Sequence, residues 1–521
     1  TTNAYATNTS LDANTDVNID AINSGEIKST VVAVVLGGGA ISAAIGGALA
    51  QNSIGYDQNG DEDAIEVQAY LSDSSVVAGG DLSLLADSEQ IVNAGAGAGS
   101  LSIAVGEGNA FSASGSGVST VNKVAANVKA GILDSSPTSS GISITGVIAD
   151  KVDVSAKDTS DIKADVGAVA VGITVGAGST GTITLGVSLA ENIINTDVEA
   201  YIADVASLTA RDEGVFLSAD QSSTIKATAV AVSVALGSSG SNGLSLAGAG
   251  ADAHNVILGK TNAYIDNSSI YSDHTNTSSV ANAGAVSLTA INTSDITARI
   301  AAVAATVGLS GNSGLSGAIG AAIAYNNIGE KLDGTQQAIE VQSYIRNSSV
   351  DAGGKLVLDT DADLTIDAGA GAGSMAISAS GSTALSGAGT GVNTTNNVAA
   401  NVKAFIEDTG ALKGTYSTSI AADSISVTAD DISEITANVG AASLALSFGS
   451  TSVALTIGVS LARNSIDNDI STYIDDIDSV SSRSTSIVLN ATNSATISTE
   501  SVAVSLAASF GSTGIGLAGA G

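Results

Sequence analysis

Residues 225–237, IKATAVAVSVALG, alternate without interruption. Ile225, Ala227, Ala229, Ala231, Ser233 and Ala235 fall on one side of an extended chain, and Lys226, Thr228, Val230, Val232, Val234 and Leu236 on the other. Alanine favours helix, but the β-branched run and the Gly that follows favour a strand. One face is small and the other aliphatic. Such a strand should be covered on both sides, with a second sheet lying close over the Ala and Ser face.

The same alternation recurs along the chain: a strand, a Gly/Ser turn, a second strand, a further turn such as VVAGGD at 76–81, and a shorter strand such as VSLTA at 286–290. Gly79 and Gly80 suit a corner that needs positive φ. Residues 31–50 carry no charge and are long enough to mimic a membrane helix. Their counterpart at 300–324 is broken by SGNSG, so both read as buried strand pairs joined by a Gly turn. The pattern predicts an all-β chain.

Self-similarity organises these strands. DAIEVQAYLSDSSVVAGG from Asp63 returns as QAIEVQSYIRNSSVDAGG from Gln337, 274 residues later, and residues 64–250 match 338–521 as a super-repeat of about 272 residues. Inside it lie shorter periods. Asn52, Asn122, Asn192, Asn255, Asn326, Asn396 and Asn464 recur at spacings of 63 to 71 residues. A marker Ile recurs at Ile27, Ile91, Ile162, Ile225, Ile296, Ile366, Ile435 and Ile497. Six of the ten Tyr, namely Tyr5, Tyr70, Tyr201, Tyr264, Tyr344 and Tyr473, share a slot of the type AYI. About eight units in one continuous array, 1–521, describe an elongated β-solenoid or a stacked-sheet rod. The recurring Asn row reads as a structural module of that array.

Composition narrows the function. With 44% hydrophobic but only 3% aromatic residues, the apolar material is mainly Ala, Val, Ile and Leu, which suits thin repeated layers. A net charge of −34 repels nucleic acid and anionic membrane and attracts divalent cations. The absence of Cys removes disulfides from consideration.

The pattern of an Ala/Val strand with Gly turns, then A-x-N-x-I, AYI and V-x-A-G-G-x-[VL]-x-L, resembles the β-strand repeats of bacterial giant surface proteins. These are the filamentous-haemagglutinin-like and leukotoxin-like adhesins, and the resemblance covers essentially the whole chain. It implies an extracellular, rod-like or fibrous protein, and it carries no catalytic residues to transfer.

Candidate chemistry is sparse. His254 and His274 have no neighbouring Cys and no obvious carboxylate partner in sequence, so both read as surface or turn residues rather than a triad or a zinc site. DQNGDED at 57–63 sets Asp57, Asn59, Asp61 and Asp63 at alternating oxygen-ligand positions, as in a calcium loop. Its sixth position is Glu62 rather than Gly, its twelfth is Gln68 rather than Glu, and the second copy loses most of the acids, which favours an acidic hairpin. An Asx stands four residues before the marker Ile at Asn23, Asp87, Asp158, Asn292, Asp431 and Asn493, the pattern of a capped tight corner. Stacked corners of this kind would line up into a row able to gather cations. Runs such as GAGAGS at 95–100 lack the Lys and helix start of a phosphate loop.

The expected function is therefore structural: an extracellular fibre, sheath or surface rod formed by stacking β-repeats, without enzyme activity or membrane insertion. The alternative is an adhesin stalk that binds a receptor or glycan and is stiffened by calcium. The expected partner is the chain itself, joined head to tail with Leu517 in the end face, or else the continuation of a longer chain.

Overall fold

The computed structural model describes residues 1–134, 146–272, 284–409 and 418–521. The chain is all-β, 84% strand, with no helix among the described residues. Neighbouring strands pair in parallel throughout, so each unit is one coil of a β-solenoid.

A coil crosses the molecule twice. In coil 3 the strand Val147–Gly176 runs outward in one sheet, turns, and returns as Thr180–Ala203 in a second sheet packed face to face with the first. The coils stack in register. The returning strands are Ile41–Ile54 in coil 1, Ala110–Leu133 in coil 2, Thr180–Ala203 in coil 3 and Asn242–Asp266 in coil 4. Ser313–Ile328, Thr383–Glu407, Thr451–Asp475 and Thr513–Ala520 continue them through coils 5 to 8. A strand of 24 residues spans about 80 Å while successive coils rise only about 4.8 Å, so each coil is broad and flat. Residues 31–50 fall on two strands, Val17–Gly39 and Ile41–Ile54, and among the described residues no helix is long and apolar enough to cross a membrane.

Side-chain size divides the space between the sheets into two halves. In the thick half, Leu71, Leu84, Ile132, Ile202, Leu217 and Ile265 interdigitate in one continuous buried cluster. In the thin half the inner faces are almost all Ala, with Gly, Ser and Thr between, as in Ala190, Ala229, Ala231 and Ala322. A Cβ placed on Gly186 would lie 2.7 Å from the Val232 carbonyl oxygen of the opposite sheet, and one on Gly320 would lie 2.6 Å from that of Gly373. The two backbones are thus far closer than the roughly 10 Å at which sheets usually face.

The register corrects several expectations. The slot of the marker Ile in coil 2 holds Val92, because Ile27 pairs Val92 and Val92 pairs Ile162; Ile91 points the other way. The Asx of coil 2 shifts with it, so Ser88 rather than Asp87 stands in line with Asn23 and Asp158. Gly79 and Gly80 do not adopt positive φ. They are needed because a Cβ there would meet the Asn14 carbonyl at 2.2 Å and the Asp16 carboxylate at 2.1 Å, across the junction with the preceding coil. Among non-glycine residues, positive φ belongs instead to Asn8, Asp73, Asp134, Asp204, Asn267, Asn347 and Asp476, each just past a strand of the returning sheet. Cover on both sides was also expected and is found on one: Ala229 and Ala231 are fully buried, while Leu236, on the outer side of the same strand, is 38% exposed.

Candidate functional site

Three columns run along the stacking axis, and each is built at one register position repeated from coil to coil. The first is the Asn row. Asn52, Asn122, Asn192, Asn255, Asn326, Asn396 and Asn464 pair coil to coil, and each amide donates from Nδ2 to the Oδ1 of the next at 2.7–2.8 Å. Asn464 ends the ladder by donating to Thr499 Oγ1 at 2.7 Å. The column sits at the junction of the two halves: Ala190 before it belongs to the thin half and Ile194 after it to the thick half. Buried amides demand partners, and a ladder gives each one a donor and an acceptor only while the coils stay in register.

The second column is aromatic. Tyr5 stacks on Tyr70 with centroids 5.1 Å apart, and Tyr201, Tyr264, Tyr344, Phe405 and Tyr473 stack successively at 4.9–5.5 Å. Gly131 interrupts the row, and the ring of Tyr201 occupies the space that a Cβ there would need. Burial and the Glu199 carboxylate push the Tyr264 hydroxyl well above its ordinary range.

The third is the Asx column, which reads Asn23, Ser88, Asp158, Gln221, Asn292, Ala362, Asp431 and Asn493. It is not a solvent corner. In coils 1 to 4 it lies within unbroken strands, and Asp158, Gln221, Asn292 and Asp431 are fully buried. Nor is it a carboxylate row, because its two acids are separated by other residues. It forms a polar seam between the sheets: Asn292 donates to Gln221 Oε1 at 3.1 Å and to Thr261 Oγ1 at 3.0 Å, and Asn468 donates to Asp431 Oδ2 at 3.0 Å. Asp158 accepts from Ser160 at 2.8 Å, and burial pushes its carboxyl up to about 7.

The acidic loop closes on itself. Asp57 Oδ1 accepts from the amides of Asn59 at 2.8 Å and Asp61 at 2.9 Å, Asn59 Nδ2 donates to its Oδ2 at 3.1 Å, and the Asp63 amide binds the Gly55 carbonyl at 2.9 Å. These bonds hold the Asp57 carboxyl below its usual range. The second copy makes the same hairpin with almost no acids: Lys331 donates to the Thr335 carbonyl at 2.9 Å, and Gly60 and Gly334 share φ near +86° and +82°. Backbone geometry, not ligand spacing, sets this loop. Among the described residues no group of three or more His, Cys, Asp or Glu could hold a metal ion.

His254 does have a carboxylate partner: Asp252, two residues before it on the same face of the strand, lies 3.2 Å from Nε2 and raises the imidazole above its ordinary value. Its ring also packs edge-on against Tyr325. His274 lies outside the described residues. Sequence reasoning missed the acidic row at the left-handed turns, where Asp73, Asp134 and Asp204 follow one another and burial with its two neighbours raises the Asp134 carboxyl. For Asp73 and Asp134 its signal was present in LSDSS and ILDSS, a turn Asp followed by Ser.

Compared with protein-family models, with curated proteins and with solved structures, the chain matches none.

Proposed function

We propose that this chain is an extracellular structural protein, a length of fibre, sheath or surface rod whose working property is the stacked array itself. The observation that supports this most directly is the Asn ladder, a buried hydrogen-bonded chain that crosses seven coils without a gap and has value only as part of a continuous stack. Coils above and below extend it at no loss of partners, whereas a substrate site would break the repetition at one coil. The resemblance to bacterial giant repetitive surface proteins points the same way, and we assign no catalytic residue.

The open edge of the last coil has the form of a template for further parallel strands, from more of the same chain or from a second copy added head to tail. Electron microscopy of the purified protein tests the reading. Flat rods or filaments with a repeat of about 4.8 Å along the axis are expected, and globular particles without an axial repeat would overturn it. Leu517 itself projects from the outer face of the last returning strand, in register with Leu455, rather than from the open edge expected for it.

A further inference from the structure

The thin half presents large apolar residues to the outside. On the sheet of returning strands, Leu185 is 54% exposed, Ile319 66% and Ile457 52%. Parallel sheets are almost always covered on both faces, and here one face is bare. The exposed residues are also not uniform. At one outward register position Ile45, Leu185, Ile319 and Ile457 stand in coils 1, 3, 5 and 7, and Gly115, Gly248, Gly389 and Gly519 in coils 2, 4, 6 and 8. At this position the face is therefore corrugated, an aliphatic ridge on every second coil and a glycine groove between.

We propose that this face is an interface between two copies of the chain, packed face to face about a two-fold axis that runs along the strands between coils 4 and 5. Such an axis reverses the order of the coils and keeps every register position opposite itself. Coil 3 then meets coil 6, and coil 4 meets coil 5. Leu185 of one copy enters the groove at Gly389 of the other, and Ile319 enters the groove at Gly248.

The rule holds beyond that position. One step toward the turn, Ile183 would oppose Gly387, and Leu246 would oppose Gly317. One step the other way, Val187 would oppose Gly391. At each of these positions large meets small. A contact with itself is what an isologous dimer requires, and a featureless apolar surface would not produce this order.

Size and charge agree. Five outward positions on each of eight strands cover roughly 1,200 Å², above the roughly 800 Å² per partner of a stable interface. Asp252 is a charge at the margin of this area, already paired with His254. A bilayer would have no use for the alternation, and a net charge of −34 opposes anionic lipid.

The test is the oligomeric state of the full chain by analytical ultracentrifugation, in which a face-to-face pair stops at twice the chain mass whereas lengthening along the axis gives a series of masses that grows with concentration. Gly389→Leu fills a groove; its Cβ would touch nothing within 4 Å in its own chain, so the fold should hold, as circular dichroism would verify. The dimer dissociation constant should rise about ten- to hundredfold. Adding Leu185→Ala empties the opposing ridge and should restore much of the affinity, a rescue that only the reversed-coil pairing provides. A protein that is monomeric at all concentrations, a dimer indifferent to Gly389→Leu, a lack of rescue, or flotation with phosphatidylcholine vesicles in place of dimerisation would each overturn the proposal. Loss of the dimer interface would leave the structural function of the stack untouched.

Discussion

The thick and thin halves share one backbone, one register and one hydrogen-bond ladder, yet they are held together differently. In the thick half each coil buries Ile, Leu and Val between the sheets, and every such side chain removed from water contributes about 1.5–3 kcal/mol. In the thin half the inner residues are Ala, whose single methyl contributes far less, and cohesion there comes from strand pairing and close backbone contact. The larger side chains of that half face outward, where their apolar surface stabilises the molecule only once something covers it. The thick half is thus a core complete within one chain, and the thin half is a core whose second layer lies outside it.

The largest effect should follow from disturbing the close approach. Gly186→Val places side-chain atoms where the Val232 carbonyl oxygen already lies 2.7 Å from the Cβ position. Backbone cannot yield there as a flexible side chain could, so we expect a loss above about 4 kcal/mol, with hydrogen exchange accelerated across coils 3 and 4. A loss under about 1 kcal/mol would mean that the sheets of the thin half are not in contact, and the comparison would fail. In the thick half Ile202→Ala leaves a cavity instead of a collision and should cost about 2–5 kcal/mol in urea denaturation.

The boundary between the halves offers a third measurement. Asn192→Leu removes two ladder hydrogen bonds and leaves the Asn122 amide without its acceptor and the Asn255 carbonyl without its donor. Each orphaned buried group costs about 1–3 kcal/mol, so a total of about 3 kcal/mol is expected, with no effect on the stacking of distant coils. Asn192→Leu as stable as wild type would show that water, not the neighbouring amides, satisfies this column.

Much of the array was legible in the sequence, and the reason is periodicity. Strict alternation marked the strands, and the Asn and Tyr rows marked positions that stacking brings into line. What stayed hidden depended on register between coils. Ile91 and Val92 are equally plausible as the inward residue until pairing with Ile27 and Ile162 settles which one faces in. The aromatic column was seen only where it held Tyr, so Phe405, which stacks between Tyr344 and Tyr473, was passed over. The alternation of Leu185 with Gly248 and Gly389 cannot be read along the chain at all, because those residues are 63 or more apart and meet only across strands. At the acidic loop, alternate oxygens at 57–63 imitate ligand spacing, but the departures at Glu62 and Gln68 already favoured a hairpin, and in it the backbone amides of Asn59 and Asp61 bond the Asp57 carboxylate.

The smallest of the four effects probes how dry the thick half is. Asp158 is fully buried in that half, and burial pushes its carboxyl up to about 7 from an ordinary 3.8. Below about pH 3 the group is protonated in both the folded and the unfolded chain and adds no pH dependence. As pH rises toward 7, the unfolded chain releases the proton while the folded chain keeps it, so the folded state binds more protons and stability falls. Above about pH 7 both forms are ionised and the loss levels off. Asp158→Asn keeps the shape and removes the titration, and the difference between the two proteins cancels the contribution of every other acid. The variant should match wild type near pH 3 and gain on it by about 1–2 kcal/mol by pH 5. Thermal melts of both proteins at unit steps of pH measure this directly. A difference that is constant with pH would mean that water reaches Asp158 and that the thick half is wetter than its aliphatic lining implies.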